Sequence, residues 1–266
     1  MSARRARAVV AMMLATGGAL ACTEVTADPT VPFAIELDPP PLPSLVIGDS
    51  LRDSLGNVVP LSVRVLNSRN EVIPGAAVTF LAIDTAGVIT LDGQTGVIVG
   101  RRTGEAGIVA SVDGLQSERV PVRVTHFPDA LTRLDVPIDT IEFVFGQEQL
   151  LPLRIRLEAD TNETLPNDPL APVSNYLVRF AIVSPAELAV TDTSRLHLVD
   201  DSRRPSTADT TNSLGEAGRQ LRFPAVITPP IPDSVVVEVS ARRPDLSPVP
   251  GSPVVYIVKL RQAGSP

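Results

Sequence analysis

From residue 43 onward, apolar and polar positions alternate along the chain with a period of two. Leu61, Val63 and Val65 fall on one side and Ser62, Arg64 and Leu66 on the other, the spacing of a strand with one buried face. Val78, Phe80 and Ala82 make a second inward set. Further short strands are predicted at 87–91, 97–99, 108–112 and 120–124. Turn-forming residues separate them: the polar run Asn67–Glu71, then Pro74-Gly75, Asp92-Gly93 and Asp113-Gly114. Pro121 suits an edge or the start of a strand, because it cannot donate to a ladder. No sustained 3.6-residue period follows residue 22. Many short strands at regular spacing predict an all-β fold of sandwich type.

Residues 128–262 repeat the plan of residues 43–127. Val59-Pro60-Leu61-Ser62-Val63-Arg64-Val65 matches Leu151-Pro152-Leu153-Arg154-Ile155-Arg156-Leu157. Val78-Thr79-Phe80 matches Val178-Arg179-Phe180, and Gly104-Glu105-Ala106-Gly107 matches Gly215-Glu216-Ala217-Gly218. The offset between the copies grows along the chain, which places insertions in the second. These fall at Asp160–Asp168 and Asp200–Asn212, polar stretches expected as loops and as the place where any partner specificity would reside. The expected fold class is therefore two tandem β-sandwich domains.

The start of the chain has another character. Arg4, Arg5 and Arg7 precede an apolar run over 8–21 that is shorter than the roughly 20 residues a membrane span needs, the layout of a secretory signal. Cys22, the one cysteine in the chain, follows directly. Ala19-Leu20-Ala21-Cys22 resembles a bacterial lipoprotein box, although Leu20 stands two places before the cysteine where the family usually has it three before. The resemblance implies lipid attachment at Cys22 and a membrane anchor. Cleavage as an ordinary signal peptide, with Cys22 incidental and the protein simply secreted, is the alternative. Thr23 in place of Asp after the cysteine favours the outer membrane within that reading. Residues 22–42, with Asp38-Pro39-Pro40-Pro41-Leu42-Pro43 at their end, read as an extended tether, and Phe33–Leu37 within them as an opening strand. The expected organisation is a signal peptide at 1–21, a tether at 22–42, sandwiches at 43–127 and 128–262, and a tail at 263–266.

The segment Asn67-Ser-Arg-Asn-Glu-Val-Ile-Pro74-Gly75-Ala-Ala-Val78-Thr79-Phe80 resembles bacterial Ig-like domains of the invasin/intimin group, in which a polar turn is followed by Pro-Gly and a Val-Thr-Phe strand. Thr103–Gly107 resembles that family's later turn loosely. In the second copy Pro172-Val173 replaces Pro-Gly. The resemblance implies an Ig-like β-sandwich used as a surface spacer or adhesive module, and it carries no catalytic residues.

Composition narrows the chemistry. A net charge of −7, which becomes more acidic once the three N-terminal arginines are removed, speaks against a nucleic-acid partner. A lone cysteine permits no intramolecular disulfide, so the core must come from Val, Ile and Leu. Two histidines and no thiol pair give no zinc set. Asp200, Asp201 and Asp209 lack the spacing of a calcium loop. No cofactor is expected. Without Trp, and with only Tyr176 and Tyr256, a sugar-binding face has little to build on; both tyrosines read as core rungs. Arg154, Arg156 and Arg179 alternate with apolar residues as a solvent face would. Gly48-Asp49-Ser50-Leu51 resembles the nucleophile block of Gly-Asp-Ser-Leu hydrolases, which would make Ser50 an esterase nucleophile. That family's Asp-x-x-His block is missing: His197 lies five residues after Asp192, and His126 reads as a linker residue. The expected function is non-enzymatic: a structural or adhesive envelope module, or alternatively an adhesin binding a protein partner through second-domain loops.

Overall fold

The computed structural model describes residues 28–53, 55–160, 170–188, 194–227 and 229–264. Apart from one turn of 3-10 helix at Ala186–Leu188, its regular elements are strands. The first module holds β1 (Ala34–Leu37), β2 (Leu45–Val46), β3 (Val63–Leu66), β4 (Thr79–Ile83), β5 (Ile89–Leu91), β6 (Ile98–Gly100), β7 (Gly104–Val112), β8 (Leu115–Gln116) and β9 (Val120–Thr125). The second holds β10 (Ala130–Arg133), β11 (Ile138–Phe143), β12 (Gln149–Ala159), β13 (Ala171–Pro172), β14 (Leu177–Ser184), β15 (His197–Val199), β16 (Ala208–Thr210), β17 (Glu216–Phe223), β18 (Ser234–Ser240) and β19 (Val254–Gln262).

Each module is a sandwich of antiparallel hairpins closed by one parallel pair. In the second, the layer β10-β12-β17-β15 faces the layer β11-β19-β18-β14-β16. Leu153, Ile155, Leu157, Leu221 and Phe223 from one layer meet Val178, Phe180, Val237, Val239 and Tyr256 from the other. These are alternate residues of their strands, the inward half of the period-two pattern. In the first module, β2-β9-β7-β4 packs Phe80, Ala106, Ile108, Ala110, Val122 and Val124 against Ile35, Val65, Ile89 and Ile98. Its second layer is split into β1-β3 and β5-β6. A hairpin over residues 52–58 interrupts it, and the backbone bonds Leu51 N to Ile98 O and Leu61 N to Gly96 O link the two pieces.

The copies share register as well as plan. Val63 pairs with Leu37 at the end of β1, and Ile155 pairs with Arg133 at the end of β10. Ile73 donates to Val65 O, and Val173 to Leu157 O. Phe80 pairs with Ala110 on β7, and Phe180 with Val239 on β18. In both modules the first strand pairs antiparallel in one layer, and the chain then crosses to pair parallel with the last strand of the other. The Gly-Glu-Ala-Gly match is the exception. Gly104 opens β7, between β4 and β9, whereas Gly215 leads into β17, between β12 and β15. The motif marks entry from a turn into a strand and falls on non-equivalent strands.

Two expectations need correction. The Pro-rich run 38–43 is not a tether. The strand expected at 33–37 forms as β1 on β3, so Pro39–Pro43 is the crossover from β1 to β2 inside the first sandwich. Proline serves there because a crossover between layers needs no ladder donors. Nor is 202–212 a free loop. Pro205 bridges Val199, Phe180 N donates to Thr207 O, and β16 pairs with β14. The segment therefore stitches one layer to the other. Of the other expected insertion, Asp160–Asp168, all but Asp160 lies outside the described residues, as do Cys22 and the signal region. Pro121 behaves as expected: β2 covers β9 only at Val124 and Thr125, which leaves Pro121 on an uncovered edge.

Candidate functional site at the joint between the modules

A single turn design recurs five times among the described residues. In each, residue i donates its N–H to the carbonyl of i+4 and accepts from the N–H of i+3, with residue i+3 at positive φ. The turns begin at Asp53, Asn67, Asp200, Asn212 and Arg243, and the positive-φ positions are Gly56, Asn70, Arg203, Gly215 and Leu246. This is the three-residue hairpin loop with a left-handed closing residue. In the first four, an Asx side-chain oxygen also accepts the N–H groups of i+2 and i+4. Those bonds hold the Asp53 and Asp200 carboxyls below the usual range, chiefly through the Asn57 and Arg204 amides.

Two of these hairpins meet at the module boundary. A Cβ on Gly56 would stand 2.8 Å from Leu246 Cγ and 3.2 Å from Pro244 O, so the backbone of the first hairpin lies directly on the second. Around this contact the linker is fixed on both sides. Val46 of β2, 1% exposed, packs into the core of the second module. Asn175, at φ 60°, donates its side-chain amide to Pro43 O at 2.9 Å. The Arg243 guanidinium lies 4.9 Å from the Phe127 ring centroid, and it pairs with Asp129 at 3.3 Å. Leu42 and Pro43 close over Tyr176 and Leu177, leaving a cleft of about 100 Å³. Burial pushes the Tyr176 hydroxyl well above the usual tyrosine value, with the Asp49 charge adding to it; its proton is held on Arg242 O at 2.9 Å. Arg52 is held charged by its hydrogen bond to Asp49, with Asp245 of the second module contributing.

Apart from Tyr176 and His126, the residues singled out for chemistry form no part of this joint. Ser50 takes part in a bridge to Val99, its N–H donates to Asp49 Oδ1, and Asp49 is paired with Arg52 at 2.9 Å. No hydrogen bond joins Ser50 to either histidine. His197 is buried in β15 with Nδ1 2.8 Å from Arg195 O, and His126 sits at the linker. Asp200 serves its turn, and Asp209 accepts from Gly218 N and pairs with Arg219. Among the described residues no group of three His, Cys, Asp or Glu stands where it could hold a metal, and no helix is long and apolar enough to cross a membrane. Tyr176 and Tyr256 are buried, Arg154 pairs with Asp135 and Arg156 with Glu216, while Arg179 is exposed.

No family model matches the chain, and no curated protein matches it in sequence. Among solved structures it is similar to the adhesin InvE of Yersinia pseudotuberculosis, at 16% identity and a TM-score of 0.34, over 84% of this chain and 58% of that one. The chain thus spans little more than half of that adhesin structure. It is also similar to domains 4 and 5 of the S-layer protein SbsC, at 13% identity and a TM-score of 0.30, over 86% and 96%. The fibronectin(III)-like modules of Clostridium thermocellum CbhA give 14% identity and a TM-score of 0.32, over 86% and 95%. At such values these likenesses decide neither activity nor partner, and the two sandwiches rest on the strand pairing itself.

The joint residues Val46, Gly56, Asn175, Arg243 and Leu246 were not visible as a site in the linear pattern. A faint signal existed in Asp53-Ser-Leu-Gly-Asn57 and Asn212-Ser-Leu-Gly-Glu216, the same turn written twice. Nothing in that repeat says which copy touches a neighbouring module.

Proposed function

We propose that the protein is a non-enzymatic envelope lipoprotein, anchored through Cys22, whose two sandwiches act as a stiff structural or adhesive spacer. The observation that carries this reading is the joint. A spacer transmits position only if its modules do not swivel. Here a core residue, a hydrogen bond, an arginine–aromatic contact between Arg243 and Phe127 and two abutting hairpins hold the boundary at once. Flexible linkers between independent domains make few such contacts. The anchor supplies attachment through acyl chains at about 0.8 kcal/mol per buried CH₂, and the folded part then needs no membrane-binding face of its own.

Metabolic labelling with a fatty-acid analogue in a lipoprotein-competent host tests the anchor. Label is expected on the wild type and not on Cys22→Ala, with the variant released from the membrane fraction. Wild type that stays unlabelled defeats the anchored reading and leaves a secreted spacer. Ester hydrolysis that disappears in Ser50→Ala would defeat the non-enzymatic one.

A further inference from the structure

The outer face of the layer β11-β19-β18-β14 breaks the rule of polar residues outside. In β19 the inward residues are Val254, Tyr256, Val258 and Leu260, yet Val255 and Ile257 point outward, 36% and 37% exposed. Register sets Ile138 of β11 beside Ile257, and Val236 of β18 on the other side of it. Val183 of β14 lies next in line across a bulge. Val136, Ile138 and Val183 are 55%, 53% and 40% exposed. A contiguous apolar row thus crosses four strands on the solvent side. Strands apolar on both faces are those covered on both faces, and exposed patches of this kind mark contact sites.

The equivalent face of the first module has a different make-up. There the outward positions of β7 and β9 carry Glu105 and Arg123, paired at 3.1 Å, and Arg119 lies over Gly107. The face of the first module is mixed, with Leu81 and Ile83 of β4 43% and 48% exposed beside that ion pair, whereas in the second module the apolar row runs across all four strands.

Charge indicates the occupant. Glu238 flanks the row on one side, opposite Val255, and Lys259 flanks it on the other, opposite Ser234. Four residues separate these positions along the strands, about 13 Å, too far to pair within one copy. A two-fold axis laid along the apolar row brings the Lys259 of one copy over Val255 of another. Val255 is one strand spacing, about 4.8 Å, from Glu238, and across the roughly 10 Å between facing sheets the lysine and glutamate side chains together span the gap. The face is thus self-complementary, as an isologous interface must be.

We propose that this face is a homodimer interface, sheet against sheet, centred on Ile257 with reciprocal Glu238–Lys259 pairs at its rim. It stands whether or not the chain is anchored or acts as a spacer. Analytical ultracentrifugation of the full chain in mild detergent tests it across a wide concentration range. The wild type is expected to pass from monomer to dimer. Ile257→Lys, at an outward position that folding does not require to be apolar, should weaken association by roughly a hundredfold or more while the melt stays cooperative. Glu238→Lys alone should also weaken it, and adding Lys259→Glu should restore it. A monomer at every concentration overturns the proposal. So does a dimer indifferent to Ile257→Lys, a double variant that fails to recover, or capture by lipid vesicles in place of self-association.

Discussion

At the scale of single residues, the five hairpin turns show how similar sequences bear unequal strain. Arg203 and Gly215 occupy the same turn position, both at positive φ. A non-glycine residue there costs about 1 kcal/mol. The Arg203–Glu148 pair, 3.4 Å apart with the arginine 64% exposed, contributes a few tenths at most. Glu148 keeps Arg222 at 2.8 Å in any case. Arg203→Gly is therefore expected to stabilise by about 0.5 kcal/mol, after the added freedom of the unfolded chain is discounted. Gly215→Ala carries the opposite sign, because a Cβ there collides with Leu157 O; a loss of about 2 kcal/mol is expected. Chemical denaturation of both variants checks the pair, and equal signs would refute the turn assignment. Turn carboxylates, in these hairpins and in the separate turn at Asp92, set the pH response. The carboxyls of Asp53, Asp92, Asp200 and Asp245 are held low by the Asn57, Thr95 and Arg204 amides and the Ser247 hydroxyl respectively. Depressed folded values mean that their stabilisation is complete above the unfolded value of about 3.9 and is lost as pH falls below it. Tyr176 and Tyr256, raised chiefly by burial, act in the other direction. Their contribution is present below pH ~10 and lost above it. The melting temperature should hold across neutral pH and fall at both ends. A melt unchanged down to acid pH would contradict the turn bonding.

At the scale of elements, what could be read from the chain was much of the inward half of the strands, although Ala82, expected inward, is exposed and Leu66, expected outward, is buried. Leu61, Val65, Phe80, Ile155, Leu157 and Phe180 are buried as their spacing predicts. Period two reports burial locally, and no partner has to be known. The crossover at 38–43 and the segment at 202–212 were misread for a related reason. Their residues are mostly polar or proline, and composition alone cannot separate a layer-crossing segment from a loop. Thr211 makes the difference concrete. It is 4% exposed, its hydroxyl donates to Val173 O at 2.6 Å, and it accepts Tyr176 N at 2.9 Å. Thr211→Val keeps the shape and strands both buried backbone groups, so a loss of about 2 kcal/mol is expected. Deleting 202–212 should abolish the cooperative melt of the second module. A deletion variant that melts as the wild type does would return the segment to the status of a free loop.

At the scale of the molecule, the claim is that two modules behave as one body. The contacts that make the joint come from residues far apart in the chain: Pro43 with Asn175, Gly56 with Leu246, Val46 with the second core. None has a local signature, which is why the linear pattern yielded two modules and was silent on their coupling. Coupling of this kind decides between a spacer and two beads on a string. The most direct test is a distance distribution between spin labels at Glu118→Cys and Glu142→Cys, both exposed and one in each module, in a Cys22→Ala background with labelled chains diluted among unlabelled ones. A single distribution as narrow as that of a pair within one module is expected. It should broaden in Gly56→Val, whose side chain has no room against Leu246 and Pro244. A broad wild-type distribution, unchanged by Gly56→Val, would contradict the locked joint.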